Sequence, residues 1–233
     1  MWIESAPDQP TRRLKARVIL LQIMLLAATS GQSAVAIDDA VSADLSVRRL
    51  TNEGLTLPNG VPPHGTIVAG AQWSDETGDY RVLIEESGKI PGGPDCRPDC
   101  FDAEIRAYAF ASDGKGLTPI WRAVDFVRDC ADDIFVGLLE GTLAVTDVDR
   151  DGHAEVSFLY KLSCRTDVSP SRLKLLLYVD SYKYAIRGTT RLPDGSGGEM
   201  NVDASFSRLD PLLREFAIGR WKAHVSEDRI EQL

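Results

Sequence analysis

Four carboxylates recur at short spacing near the middle of the chain, a pattern that can bind a hard cation. They are Asp147, Asp149, Asp151 and Glu155. Calcium takes six to eight oxygen ligands at about 2.3–2.6 Å, and alternate positions of a tight loop can turn their oxygens toward one point. Gly152 permits the sharp turn at loop position six, and His153 follows at position seven, where calcium loops use a backbone carbonyl. We therefore predict a Ca²⁺ site formed by the four carboxylates and His153.

This loop differs from a helix–loop–helix calcium site. Position twelve is Phe158 where that motif requires a glutamate, and Val156–Tyr160 has the pattern of a strand. The loop resembles instead the Asp-x-Asp-x-Asp-Gly-x-x-Asp/Glu loops between strands of FG-GAP and VCBS-type repeats in β-propellers, with Glu155 in place of the commoner aspartate. The alternative is an acidic turn without a cation. Repulsion among four closely spaced carboxylates favours the cation.

The cysteines offer a second kind of chemistry. There are four of them, Cys96, Cys100, Cys130 and Cys164. In an oxidising compartment an even number predicts two disulfides, with three possible connectivities. We favour Cys130–Cys164, as a tie between two strands that flank the acidic loop, and Cys96–Cys100, as the closure of a proline-containing turn. A four-cysteine zinc site needs two close pairs where one exists, and a redox site does not match the spacing.

No catalytic constellation stands out, so the catalytic residues stay unknown. The three histidines are dispersed, and no nucleophile elbow, His-Glu-x-x-His motif or glycine-rich phosphate loop occurs. A glycosidase pair could be drawn from four acids that precede the acidic loop. These are Asp125, Asp129, Asp132 and Asp133. Chance clustering in an acid-rich chain explains them equally well.

The elements around the acidic loop have the pattern of β-hairpins. Residues Phe135–Val145 lead into the loop, and Glu155–Leu162 leaves it as an alternating strand. Three further pairs of β-rich runs are joined by short polar turns. The pairs are Thr66–Trp73 with Tyr80–Glu85, Ala103–Ala111 with Leu117–Val127, and Leu173–Val179 with Tyr184–Thr190.

Helical signals lie near the two ends of this β region. Asp210 is a predicted N-cap with Pro211 at the first helical position, and apolar residues then recur at helical spacing up to Trp221. Residues 37–65 have the composition of a loose segment, with a short helix predicted near Ala43–Leu50. The prediction is one mainly β domain over 66–233, with antiparallel hairpins arranged as a propeller-like blade or an open sheet or sandwich, and a C-terminal helix.

Residues 1–36 have the features of a secretory signal peptide. Four basic residues precede the apolar run Val18–Ala28, and Ala34-Val35-Ala36 offers a small-x-small cleavage site. The run is too short to span a bilayer, so we expect cleavage and no membrane span afterwards. Thr11–Arg13 leaves general and twin-arginine export both open. The predicted location is the periplasm or the exterior of a bacterial cell.

The exported part is strongly acidic. The whole chain has a formal net charge of −9, and removal of the four basic and two acidic residues of 1–36 leaves −11. Such a surface repels phosphate backbones, and no basic stripe with interleaved aromatics occurs. We therefore expect no nucleic-acid partner.

Longer segments resemble a family of exported bacterial proteins, some of which are described as surface polysaccharide biosynthesis proteins. These segments are Tyr80–Glu86, Trp121–Cys130, Thr146–Cys164 and Tyr184–Thr190. The resemblance implies a cell-envelope setting. It leads to two functional hypotheses: a non-catalytic calcium-binding domain with a glycan or an envelope protein as partner, or an enzyme or accessory factor of surface polysaccharide biosynthesis.

Overall fold

The computed structural model of the protein describes residues 45–51, 54–94, 96 and 99–227. Over this part the chain is mainly β, with antiparallel sheets and one C-terminal α-helix, as predicted. The signal-peptide prediction for 1–36 lies outside the described residues. Among the described residues, no helix is both long enough and apolar enough to cross a bilayer.

The first half of the chain forms sheet A, a six-stranded antiparallel sheet. Its path is β1-β2-β3-β5-β4, and β6 pairs with the other edge of β5. The strands are β1 (Ser46–Arg49), β2 (Thr66–Asp75), β3 (Gly78–Glu86), β4 (Ile90–Pro91), β5 (Phe101–Ser112) and β6 (Leu117–Cys130). Both predicted hairpins of this region are present, and their strands extend beyond the predicted ends.

The second half forms sheet B, also six-stranded and antiparallel. Its path is β12-β11-β10-β9-β7, and the short β8 pairs with the start of β9. The strands are β7 (Asp133–Leu138), β8 (Ala144–Thr146), β9 (Glu155–Arg165), β10 (Arg172–Val179), β11 (Tyr182–Thr189) and β12 (Met200–Val202). The run that leads into the acidic loop is thus broken into two strands.

The two sheets pack face to face as a sandwich. Successive side chains of a strand point to opposite faces, and Val82 and Ile84 of β3 reach the same apolar core as Phe158 of β9. Trp121 of β6 stacks on Tyr178 of β10 with ring centroids 3.6 Å apart. The sheets do not close into a barrel. Of the predicted arrangements, the structure therefore adopts the sandwich.

A helix covers the outer face of sheet B. It is α1 (Pro211–His224), and its buried side chains Leu213, Ala217 and Trp221 pack on leucines of β10. The Asp210 carboxylate accepts a hydrogen bond from the Leu212 N–H at 2.7 Å, which confirms the predicted N-cap. Sheet B is consequently covered on both faces, and every residue of β9 from Glu155 to Leu162 is buried.

The segment before β2 contradicts one prediction. The expected helix near Ala43–Leu50 is absent from its described part, where β1 forms an edge strand antiparallel to β2. Strand alternation fits better than helical periodicity, because Leu45 packs between the sheets whereas Leu50 packs on the outer face of sheet A. Residues after Leu50 continue over that face against Tyr108 and Phe110.

Both predicted disulfides are present. Cys96 and Cys100 are bonded with Cα atoms 6.2 Å apart, and Cys130 and Cys164 with Cα atoms 5.7 Å apart. The prediction that Cys130–Cys164 joins two strands flanking the acidic loop is correct for one strand only. Cys130 ends β6 in sheet A and Cys164 lies on β9 in sheet B, so only β9 flanks the acidic loop. The bond therefore fastens one sheet to the other.

Candidate metal centre

The acidic loop connects β8 to β9 at one end of sheet B. Thr146 at the end of β8 pairs with Glu155 at the start of β9, so the loop reverses the chain within the eight residues between them. Two of these residues adopt left-handed backbone conformations, Arg150 with φ 57° and Gly152 with φ 85°. This backbone path turns alternate side chains inward.

The four predicted carboxylates converge. Each offers an oxygen, and the four oxygens all lie within 4.8 Å of one another. Asp147 and Glu155 are buried, with exposed fractions of 5% and 1%, whereas Asp149 is half-buried and Asp151 is exposed. The cluster therefore has a closed side toward the sandwich and an open side toward solvent.

Hydrogen bonds within the loop hold several of these oxygens in place. Asp147 Oδ1 accepts from the Asp151 N–H at 3.0 Å, and Glu155 Oε2 accepts from the Val148 N–H at 3.0 Å. Asp149 Oδ1 differs, because it is buried and has no hydrogen-bond partner among the described residues. A buried carboxylate oxygen without a donor costs free energy unless a cation meets it.

The electrostatics of the cluster also favour a positive ion. Burial raises the pKa of Glu155 to about 8, and the charges of Asp149 and Asp147 add to that rise. Burial also raises the pKa of Asp149 to about 6, helped by the charge of Asp151. Without a cation, the cluster thus retains protons close to neutral pH.

His153 occupies a different position from the carboxylates. Its ring Nδ1 lies 3.1 Å from Asp180 Oδ1 in the turn between β10 and β11, and its N–H donates to Asp151 Oδ1 at 3.0 Å. The ring does not belong to the carboxylate cluster within the described part of the chain. His153 thus connects the loop to a neighbouring turn, and only its backbone carbonyl remains the candidate ligand.

Sequence reasoning missed the support that the loop receives from sheet A. In the turn between β2 and β3, Asp75 Oδ2 accepts from the Ala154 N–H at 3.1 Å, and the Glu76 N–H donates to the Gly152 carbonyl at 3.1 Å. These partners are more than 70 positions apart, so no local pattern reveals them. The charge of Asp210 at the start of α1 also contributes to the raised pKa of Asp149.

Two of the acids considered for a glycosidase pair, Asp125 and Asp129, have separate surroundings. Asp125 forms an ion pair with Lys174 and accepts from the Tyr160 hydroxyl at 3.0 Å. Asp129 lies beside the Cys96–Cys100 disulfide, with which its carboxylate forms a second group of potential metal ligands. Both of those sulfurs are consumed in the disulfide, so the group offers a metal no thiolate.

Comparisons with protein-family models, with curated proteins and with solved structures find no match to this chain.

Proposed function

We propose that this chain is an exported, non-catalytic β-sandwich domain of the bacterial cell envelope, which binds Ca²⁺ in its acidic loop and holds a surface for a glycan or an envelope protein. One observation carries the calcium part: oxygens of four carboxylates lie within 4.8 Å of one another, and the buried Oδ1 of one of them, Asp149, has no donor among the described residues. Carboxylate oxygens are the ligands that hard cations prefer. The residues present therefore fit calcium.

Calcium would have a structural role here. Asp147, Asp149, Asp151 and Glu155 would hold the ion, with the His153 carbonyl as a further candidate ligand. The ion would supply the positive charge that removes the repulsion among the carboxylates. Because the β2–β3 turn hydrogen-bonds to the same loop, a rigid loop also stabilises the contact between the two sheets.

Three features support the setting, and a fourth supports the partner. The sequence of 1–36 predicts export, the two disulfides suit an oxidising compartment, and the acidic surface suits a soluble exported domain. The resemblance of Thr146–Cys164 to exported proteins described with surface polysaccharides points to glycans or envelope proteins. The alternative, an enzyme or accessory factor of surface polysaccharide biosynthesis, has that resemblance as its sole support.

Thermal unfolding tests the calcium proposal. We expect calcium to raise the melting temperature of the wild type by several degrees over EGTA, because it binds only the folded loop. The variant Asp149→Asn should lose most of this increase, so that its melting temperatures in calcium and in EGTA lie close together. Asp132→Asn, an exposed acid outside the loop, is the matched control and should keep the full increase.

A glycan array with calcium and with EGTA tests the partner. Calcium-dependent binding of a defined glycan, weakened by Asp149→Asn, is the expected result. If the wild type melts at one temperature in calcium and in EGTA, the metal assignment is wrong. If the array is blank in calcium and a crosslinking pull-down from envelope extract is also blank, the proposed partner is wrong.

A further inference from the structure

A cavity of about 970 Å³ lies between sheet A, β8 and α1, and its lining extends to Thr146 beside the carboxylate cluster. One wall is formed by β1 and β2 of sheet A, another by β8 and the chain before it, and a third by α1. Apolar side chains such as Val68, Leu138, Leu143 and Phe216 line it. Small-molecule sites commonly have this size and combine an apolar lining with a few polar groups.

Glu86 is the polar group that distinguishes this cavity. It is the last residue of β3 and half-buried, and its Oε1 accepts a hydrogen bond from the Leu138 N–H at 2.7 Å. Across the described ranges, no lysine, arginine or histidine forms an ion pair with Glu86. Burial raises the pKa of Glu86, and only the Leu138 N–H opposes that rise.

Other buried carboxylates outside the acidic loop are compensated within the protein. Glu85 accepts from two backbone N–H groups and from the Tyr108 hydroxyl. Glu104 pairs with Arg106 and Arg128, and Glu227 pairs with Lys161 and Arg165. Glu86 is thus a half-buried carboxylate that faces a cavity with its charge uncompensated, and a cationic ligand would complete it.

We propose that this cavity binds a ligand with an ammonium group on an apolar stem, and that Glu86 accepts the ammonium. The stem would lie against the apolar lining, and the ammonium would form a charge-assisted hydrogen bond in partly desolvated surroundings. This site goes beyond the proposed function and does not depend on calcium.

The remaining charged groups at the cavity are compatible with such a ligand. The guanidinium of Arg220 donates to Ser157 Oγ and to the Thr142 carbonyl, so it is held against sheet B. His224 Nδ1 lies 2.8 Å from the Arg220 carbonyl. Arg49 and Glu140 are exposed and of opposite charge. Glu86 therefore remains the carboxylate that combines partial burial with an uncompensated charge.

Calorimetric titration with octylamine and with octanol tests the proposal, since the two probes share the stem and differ in the head group. We expect octylamine to bind the wild type at least about tenfold more tightly than octanol, as a hydrogen bond to a charged group implies. Glu86→Gln keeps a carbonyl acceptor for the Leu138 N–H and should bring the two affinities within about twofold of each other. Glu140→Gln, an exposed carboxylate on the same cavity, is the matched control and should keep the preference.

Two further measurements test where the probes bind and which kind of molecule can supply the ammonium group. Ala223→Trp places a large ring at an exposed helix position on the cavity and should weaken both probes. N-acetyl-lysine methylamide against its norleucine counterpart asks whether a lysine side chain of another polypeptide can supply the ammonium as well as a free amine.

Several results would overturn the proposal. They are equal binding of octylamine and octanol by the wild type, no binding of either, or an unchanged preference in a folded Glu86→Gln protein. If Glu86→Gln does not fold, a salt titration of the wild type takes its place as the test. The affinity for octylamine should then fall with added salt, whereas the affinity for octanol should not. In EGTA the preference should persist, so failure of the calcium site and failure of this site are distinguishable.

Discussion

At the scale of single residues, Asp149 shows how a folded chain can reveal a ligand. The spacing of the acidic residues predicts a calcium loop, but spacing alone cannot separate such a loop from a solvated acidic turn. In the structure, Asp149 Oδ1 is buried and finds no donor in the described part of the chain, and Glu155 is 1% exposed. Solvated turns keep their carboxylates in water, so these two residues argue against the alternative.

The pH dependence of stability follows from Glu155. Its pKa of about 8 lies above the usual value of 4.5, so between these values the folded state binds more protons than the unfolded state. The free energy of unfolding in EGTA should therefore fall as pH rises from 5.5 to 8. Carboxylates with a lowered pKa, such as Glu104 and Glu227, lose their contribution to the unfolding free energy only at more acidic pH. They therefore do not affect the trend between pH 5.5 and 8.

Melting curves across that window measure the effect. In EGTA the wild type should melt several degrees higher at pH 5.5 than at pH 8, and Glu155→Gln should flatten the trend. Calcium should reverse it, since protons compete with the ion for the same oxygens. A wild-type melting temperature in EGTA that is constant over this range would contradict the raised pKa.

Gly152 is the single glycine of the acidic loop and should be costly to replace. Its φ of 85° is unfavourable for other residues, and an added Cβ would lie 2.5 Å from the Glu76 carboxyl carbon. We expect Gly152→Ala to cost about 2 kcal/mol of unfolding free energy in urea, because the left-handed backbone is strained and the exposed Glu76 side chain must move aside. Gly114→Ala has a similar φ of 78° in open space and should cost only about 1 kcal/mol. Equal costs would show that the contact with Glu76 is unimportant.

At the scale of elements, one carboxylate at the start of α1 has two roles. Asp210 caps the helix, and its charge also acts on Asp149. Asp210→Ala should cost about 1 kcal/mol through the lost cap, whereas Asp210→Asn keeps a capping oxygen. Both should weaken calcium binding modestly in a calorimetric titration, because both remove a nearby negative charge. Unchanged calcium affinity in both variants would place Asp210 too far away to matter.

Hairpins and helix were accessible to sequence reasoning because their signals are local. The Asp-Gly turn dipeptide at Asp113 and the Asp210-Pro211 cap each fix an element within a few residues. β1 was missed since a four-residue edge strand depends on its partner β2 more than on its own sequence. The support that Asp75 and Glu76 give the acidic loop depends on the packing of the sheets, which no local pattern encodes.

At the scale of the whole molecule, the two disulfides should differ in importance. Cys130–Cys164 closes a loop of 34 positions between the sheets, and Cys96–Cys100 closes one of four positions inside a turn. Loop-closure entropy predicts losses of about 4 and about 2 kcal/mol when each pair is replaced by serine. Urea unfolding of the two double variants measures the difference. Equal losses, or a larger loss for the short loop, would contradict an inter-sheet tie as the main covalent constraint.

The division of the sandwich into two consecutive halves has a consequence for how the chain could be dissected. Among the described strands, β1 to β6 end at Cys130 and all belong to sheet A, whereas β7 to β12 begin at Asp133 and all belong to sheet B. A gene cut between these residues would give two fragments, each with a full set of strand partners and one bare apolar face. The two fragments would bury their apolar faces by associating with each other, and the Cys130–Cys164 bond would then link them covalently.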